Sequence, residues 1–316
     1  MPPRAEYPPL QFAACRIALG VYLTVFFGFI AAYARELLSS EGVIPNIRMN
    51  LRQATFPNVL LVSDTPRAVL LFALVGVLAG ALLTVGVFRR VAAGVLWYAL
   101  ACIGHRNTLI PDPSTPFTGW LLLATILVPT GEPLTVSNRS RTPVQGWRFP
   151  PALYTAIWLV LGVSYSVSGL VKLSTPEWVD GRALGLFLAN SLHRNSVVWS
   201  VLSGLPPTLM KLGTWSGLGT ELLAGPLSIW RRSRPIAWVA LALLHLVVIA
   251  TMRTTMLSLG ALLPLAFAFD AHWIRPVRPR GQEARQLKNR SERTHGAARQ
   301  GRSRSRRSSA SRSLRA

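Results

Sequence analysis

The chain has 316 residues, of which half are hydrophobic and only 15% are charged, with 10 Trp, 2 Cys and a formal net charge of +22. A soluble domain usually carries about a quarter of its residues as charged side chains. The low charged fraction and a mean hydropathy of +0.36 therefore exclude an ordinary soluble enzyme, a disulfide-stapled secreted domain and a basic nucleic-acid-binding fold. What remains is an all-α polytopic membrane bundle.

The charge is unevenly placed. Residues 275–316 hold 14 Lys and Arg against Glu283 and Glu292, a net +12, and the other residues carry 20 basic and 10 acidic side chains. The predicted organisation is a short N-terminal arm (1–9), a transmembrane body (10–273) and a basic, Ser/Arg-rich tail (274–316). The tail has too little apolar content to fold and is expected to be disordered. It suits contact with anionic lipid head groups. No aromatic residue follows Trp273, so specific nucleic-acid recognition by base stacking is not expected.

A membrane-crossing helix needs about 20 mostly apolar residues. Eight segments qualify in chain order: Leu10 to Ala34, Ala68 to Phe88, Val91 to Ile110, Phe117 to Val136, Ala152 to Leu173, Leu205 to Trp230, Pro235 to Met252 and Thr255 to Ala271. The sixth is interrupted by Lys211, Thr214, Ser216, Thr220 and Glu221, so seven spans is the alternative. Ala32-Tyr33-Ala34 has the form of a signal-peptidase site, but the preceding apolar run is too long for a signal peptide and contains Arg16. The first segment is therefore expected to be retained as a helix.

Positive charge sets the orientation. With the N-terminus inside and eight crossings, the inner connections hold Arg89 and Arg90, then Arg139, Arg141 and Arg148, then Arg231, Arg232 and Arg234. The tail also ends inside. The first outer loop carries four Arg offset by Glu36, Glu41 and Asp64. Both termini are thus expected to be cytoplasmic, in what is expected to be the plasma membrane.

Cys15 and Cys102 fall in opposite leaflets, too far apart for a disulfide, and there is no CxxC, HExxH or Gly-rich phosphate loop. No metal site is expected. The candidates for chemistry are ionisable groups within spans, which cost about 2.5–3.5 kcal/mol to insert and so face a cavity or partner. They are Arg16, Lys172, Glu221, His245 and Arg253. Arg16 is expected to snorkel to the inner surface, and Arg253 to face water in a turn. Glu221, read as the one acid well inside a span, has Lys172, His245 or Arg16 as alternative partners. Lys172 lies at the outer end of the fifth span, after Tyr165 and Gly169 and before Trp178 and Gly181. A lysine in apolar surroundings can act as a neutral base; otherwise it snorkels.

The run YSVSGLVKLSTPEWVDG, Tyr165 to Gly181, resembles the signature segment of the horizontally transferred transmembrane (HTTM) domain family, the membrane part of the vitamin K-dependent gamma-carboxylase. Weaker resemblances follow in order: Arg16 to Gly20, Glu41 to Pro45, Gly86 to Arg89, His105 to Ile110, and a late pattern of Glu221, Pro226, Arg231 and His245. Together they cover Leu10 to about Trp273. The resemblance implies that Lys172 is the base that deprotonates a reduced, vitamin K-like quinone on the outer face. His105 is then a candidate to orient the lysine by a hydrogen bond, with Arg106 and Asn107 beside it. The tripeptide recurs at His193, Arg194 and Asn195. The carboxylase has a strand-rich extramembrane domain for its protein substrate. Here Trp273 leads into the basic tail, so propeptide-directed gamma-carboxylation is not expected of this chain alone, and the expected partner is a secreted peptide or protein substrate or a separate substrate-binding subunit. The rival function is a non-catalytic membrane partner for peptide maturation, export or immunity. A transporter is disfavoured because no inverted repeat or broken-helix pair is visible.

Overall fold

A computed structural model of the chain describes residues 7–45 and 56–274. The first residues of the arm, residues 46–55 and the basic tail lie outside the described residues. Thirteen α-helices are described: α1 (Pro9–Ala32), α2 (Ala34–Leu38), α3 (Val59–Val62), α4 (Pro66–Val85), α5 (Arg89–Arg106), α6 (Thr115–Leu127), α7 (Pro151–Lys172), α8 (Pro176–Val179), α9 (Ala183–Leu188), α10 (Val197–Ser203), α11 (Pro207–Ile229), α12 (Arg234–Thr251) and α13 (Thr255–Ala268). Among the described residues there is no strand, and one isolated bridge pairs His193 with Met252. A single 3-10 turn, Ala271–Ile274, forms the described part of a second unit that begins at Ala271.

Each of the eight predicted segments contains one of the longer helices. Four helices, α1, α4, α7 and α12, are long and apolar enough to cross a membrane. Their outward faces are as apolar as their inward ones, with Phe29 on α1, Leu71 and Leu78 on α4 and Leu243 on α12 all more than half exposed. Exposed apolar stripes on long helices are what a lipid solvent selects.

Small residues let the helices close in. On the α1–α4 contact, a Cβ on Gly80 would stand 2.6 Å from the Thr24 hydroxyl, and one on Gly20 would meet Thr84. Both threonines satisfy themselves on their own helices, Thr24 Oγ1 donating to the Gly20 carbonyl (2.8 Å) and Thr84 Oγ1 to that of Gly80 (2.9 Å). This is the close-packing mode expected where helix association is driven by van der Waals contact. Helix α4 starts with the Thr65 side chain accepting from Ala68 N and ends at Gly86, whose φ of 73° admits the left-handed cap.

The α7–α11 pair is built the same way. Pro226 inside α11 has no N–H for the Leu222 carbonyl. Ser166 on α7 repairs the gap: its hydroxyl donates to Leu222 O (2.9 Å) and accepts from Gly225 N (2.8 Å). Gly162 and Gly169 lie on either side of that bond, and a Cβ on Gly169 would stand 2.8 Å from Leu222 N. Helix α13 packs on α1, α6, α7 and α12, joining the α1–α4–α5–α6 group to the α7–α11–α12 group.

The fourth predicted span is corrected. Helix α6 stops at Leu127, and Val128 turns extended before Pro129, Gly131 and Pro133. The remaining apolar residues up to Val136 belong to an irregular segment that carries Glu132 into the protein.

Candidate functional site

Among the described residues, two of the buried polar groups gather ionisable side chains from several helices of the apolar body. The first gathers Arg16, Arg89 and Glu132, exposed by 0%, 3% and 2%. Arg16 donates to Leu83 O (2.7 Å), Thr84 O (2.5 Å) and Leu134 O (2.7 Å). Arg89 donates to Thr125 O, Val128 O (2.8 Å) and Pro129 O (3.0 Å), which closes the end of α6. Glu132 lies between them, 2.7 Å from Arg89 Nε and 3.8 Å from Arg16 Nε. The expectations that Arg16 snorkels, and that Glu221 is the sole acid in the interior, are both corrected here. The backbone carbonyls at the ends of α4 and α6 make a better host for a guanidinium than the interface does, because each supplies a fixed acceptor. Glu132 lies inside the predicted fourth segment, where its cost in lipid is the signal that finds it; Arg89 stands out in the sequence only as a connection charge, because its pairing is with a distant segment.

The second group surrounds Lys172. Its Nζ pairs with Glu221 Oε1 and lies 4.4 Å from the Trp178 ring centre. The pairing of Lys172 with Glu221 was one of the sequence alternatives. The surroundings differ from the purely apolar setting expected: a carboxylate and an indole face both contact the amine, and a quarter of its side chain is exposed. Beside this pair, the Tyr165 hydroxyl is 2.5 Å from His245 Nε2, and Tyr165 stacks on Phe117. The charge of Lys172 acts on His245 and that of Glu221 on Tyr165, so the four side chains form one electrostatic neighbourhood. Two of its atoms, Glu221 Oε2 and His245 Nδ1, are enclosed without a hydrogen bond.

Fold geometry explains the convergence. Gly169 draws α11 against α7 one turn before Lys172, so Glu221, adjacent to Leu222, comes within reach of the lysine. Gly181 has a φ of 82° and turns the chain from α8 towards α9. Its carbonyl accepts from Thr214 Oγ1 at 3.1 Å. That turn fixes the segment bearing Trp178 over Lys172.

The remaining expected residues sit elsewhere. His105 Nδ1 is 2.8 Å from the Ala101 carbonyl of its own helix, and its ring stacks on Phe56. Arg106 donates to Ile44 O (2.8 Å) and pairs with Asp64, while Asn107 donates to Leu37 O (2.8 Å). These three residues tie the end of α5 to the segments around α2 and α3. Among the described residues, the hydrogen-bonding partner of Lys172 is Glu221. His193 stacks on Trp199, and Arg253 N donates to Leu192 O (2.9 Å). Cys15 and Cys102 are free and buried.

An apolar cleft of about 220 Å³ lies between α6, α7 and α13, lined by Phe117, Leu121, Leu127, Ile157, Leu161 and Pro264 among others. Phe117 connects it to Tyr165. Lys172 is two turns of α7 beyond Tyr165, about 10 Å at 1.5 Å per residue. No cluster of three potential metal ligands occurs among the described residues. In comparisons with known proteins, the chain matches no family model, no curated protein and no solved structure.

Proposed function

We propose that this is a multi-pass protein of the plasma membrane in which Lys172 and Glu221 act together as the base for a weakly acidic hydroxyl on a lipid-soluble compound of the reduced-quinone class, the carboxylate taking the proton and the Lys172 ammonium holding the oxyanion that is left. The observation that carries the reading is the ion pair of Lys172 with a buried carboxylate; an apolar cleft lines α7 from Leu153 to Leu161 and reaches Tyr165 through Phe117, about 10 Å short of Lys172. The pair has the donor and acceptor atoms to hold a hydroxyl, and the cleft has the apolar lining for a tail. Bound there, such a compound would supply the acidic hydroxyl, and the chain supplies orientation and proton transfer. The resemblance of Tyr165 to Gly181 to the HTTM signature favours placing Lys172 in that base.

The finer topology is part of this proposal. Eight crossings with both termini cytoplasmic place the Arg-rich connections on one side and Lys172 on the outer side. Of the other four helices, α6 and α13, of 13 and 14 residues, fall short in length and α5 and α11 in apolarity, and packing against the four apolar helices would carry them across. A separate subunit or a secreted peptide would then meet the site from outside.

The test is purification in a native-lipid nanodisc, solvent extraction of bound quinone, and the reactivity of added menaquinol followed by absorbance. Wild-type protein is expected to retain and react with it, and Lys172→Ala to lose reactivity. Unchanged reactivity in Lys172→Ala overturns the proposal. The accessory-partner reading draws on exposed Val197 (81%) and Val201 (61%) on α10. It expects a co-purifying protein and full tolerance of Lys172→Ala.

A further inference from the structure

We propose that Glu221 is the recognition element of the Lys172 site, and that it selects a neutral hydroxyl donor over the same compound oxidised or O-methylated. The proposal rests on the base assignment above and goes further by assigning the atom that discriminates. A carboxylate serving only as counter-ion would share both oxygens among protein donors. Glu221 does not: Oε1 faces Lys172, while Oε2 is enclosed without a hydrogen bond, in a side chain 8% exposed. An ionised carboxyl accepts at both oxygens, and a buried acceptor without a donor is costly.

The surroundings do not supply the missing donor. The Tyr165 hydroxyl is engaged with His245, that of Ser166 donates to Leu222 O, and that of Thr220 donates to Ser216 O at 2.8 Å. Nor is Glu221 free to swing towards one. The Ser166 bridge and the close approach of Gly169 to Leu222 fix the backbone on its C-terminal side. The carboxylate is therefore held in place with one acceptor unused.

A single hydroxyl complements this arrangement. Its O–H donates to Oε2, and its lone pair accepts from an N–H of Lys172. The Lys172–Glu221 pair is neutral as a unit, so it offers no net attraction for an anion. A quinone carbonyl or a methyl ether accepts from Lys172 but has nothing to donate to Oε2. Discrimination by one hydrogen bond to a buried charged acceptor amounts to roughly tenfold or more in affinity.

The experiment uses the full chain in nanodiscs under nitrogen. Equilibrium binding of menaquinol-2, its dimethyl ether and menaquinone-2 is measured by filtration and mass spectrometry. For the wild-type protein, menaquinol-2 is expected to bind about tenfold or more tightly than either analogue. In Glu221→Met the three are expected to bind within about twofold of one another. Equal binding of the three by the wild type overturns the proposal and leaves the base assignment standing. Preference that persists in Glu221→Met also overturns it. Failure of all three to bind removes the base assignment and this proposal together. If Glu221→Met does not fold, the wild-type comparison of quinol with ether decides alone.

Discussion

Arg89 and Glu132 meet at 2.7 Å, the guanidinium at the first turn of α5 and the carboxylate in the irregular segment beyond α6. Arg16 joins them from α1, so two buried cations share one buried anion. The excess positive charge is carried by backbone carbonyls, six of which accept from the two arginines. The arrangement ties four segments together without help from solvent.

The first prediction follows from that imbalance. Removing Glu132 leaves two buried cations with no anion, whereas removing Arg16 leaves the balanced Arg89–Glu132 pair. Breaking a buried pair by deleting one partner costs about 3–5 kcal/mol. Glu132→Gln is expected to lower stability by that order, and Arg16→Met by distinctly less. Thermal unfolding of both variants in detergent checks the order; equal losses would contradict it.

These relationships also mark what the sequence could tell. The apolar blocks of α1, α4, α7 and α12 were legible because lipid imposes a length and a hydropathy on a helix, and both are local properties. The end of α6 was not, because Val128 to Val136 stays apolar on average while Pro129, Gly131 and Pro133 break the helix within it. Glu132 is legible as an acid inside the fourth apolar segment by the same cost in lipid as Glu221, whereas its partners on α1 and α5 are a tertiary property. Lys172 was singled out by its cost in lipid, and Glu221 entered as one of its alternatives. His105 was grouped with Lys172 by expected side of the membrane alone, and its contacts instead lie with Phe56 and the Ala101 carbonyl.

The second prediction concerns Lys172 and Glu221 themselves. The carboxylate is 8% exposed and the lysine 24%. Deleting the lysine strands a buried anion, while deleting the acid leaves a lysine that can turn towards solvent. Lys172→Met is expected to destabilise the fold more than Glu221→Met. A thermal-shift comparison checks the asymmetry, and the opposite order would show that Lys172 depends on Glu221 for its burial.

A third prediction addresses the Tyr165–His245 contact. Tyr165→Phe removes the hydroxyl from His245 Nε2 but keeps the ring against Phe117. Because His245 Nδ1 already lacks a partner, the variant leaves both ring nitrogens unpaired. An unsatisfied buried polar group costs about 1–3 kcal/mol. Tyr165→Phe should lose stability in that range, and His245→Phe in the same background should recover part of it. Lack of recovery would mean that the contact contributes little.

The last prediction tests whether α7 and α11 are held at their separation by glycine. A Cβ at Gly162 would collide with the Ser228 hydroxyl and stand 3.1 Å from Gly225 Cα. The Ser228 hydroxyl itself donates to Gly225 O at 2.8 Å on its own helix, so it is not needed for the helix contact. Gly162→Ala alone is expected to push α11 outward, destabilising by about 1–3 kcal/mol as overpacking does, and to separate Glu221 from Lys172. Gly162→Ala with Ser228→Ala removes the colliding atom and is expected to restore much of the loss. Stability of the single and double variants gives the coupling directly. Strict additivity of the two substitutions would show that the helices do not approach at Gly162 as closely as the collision requires.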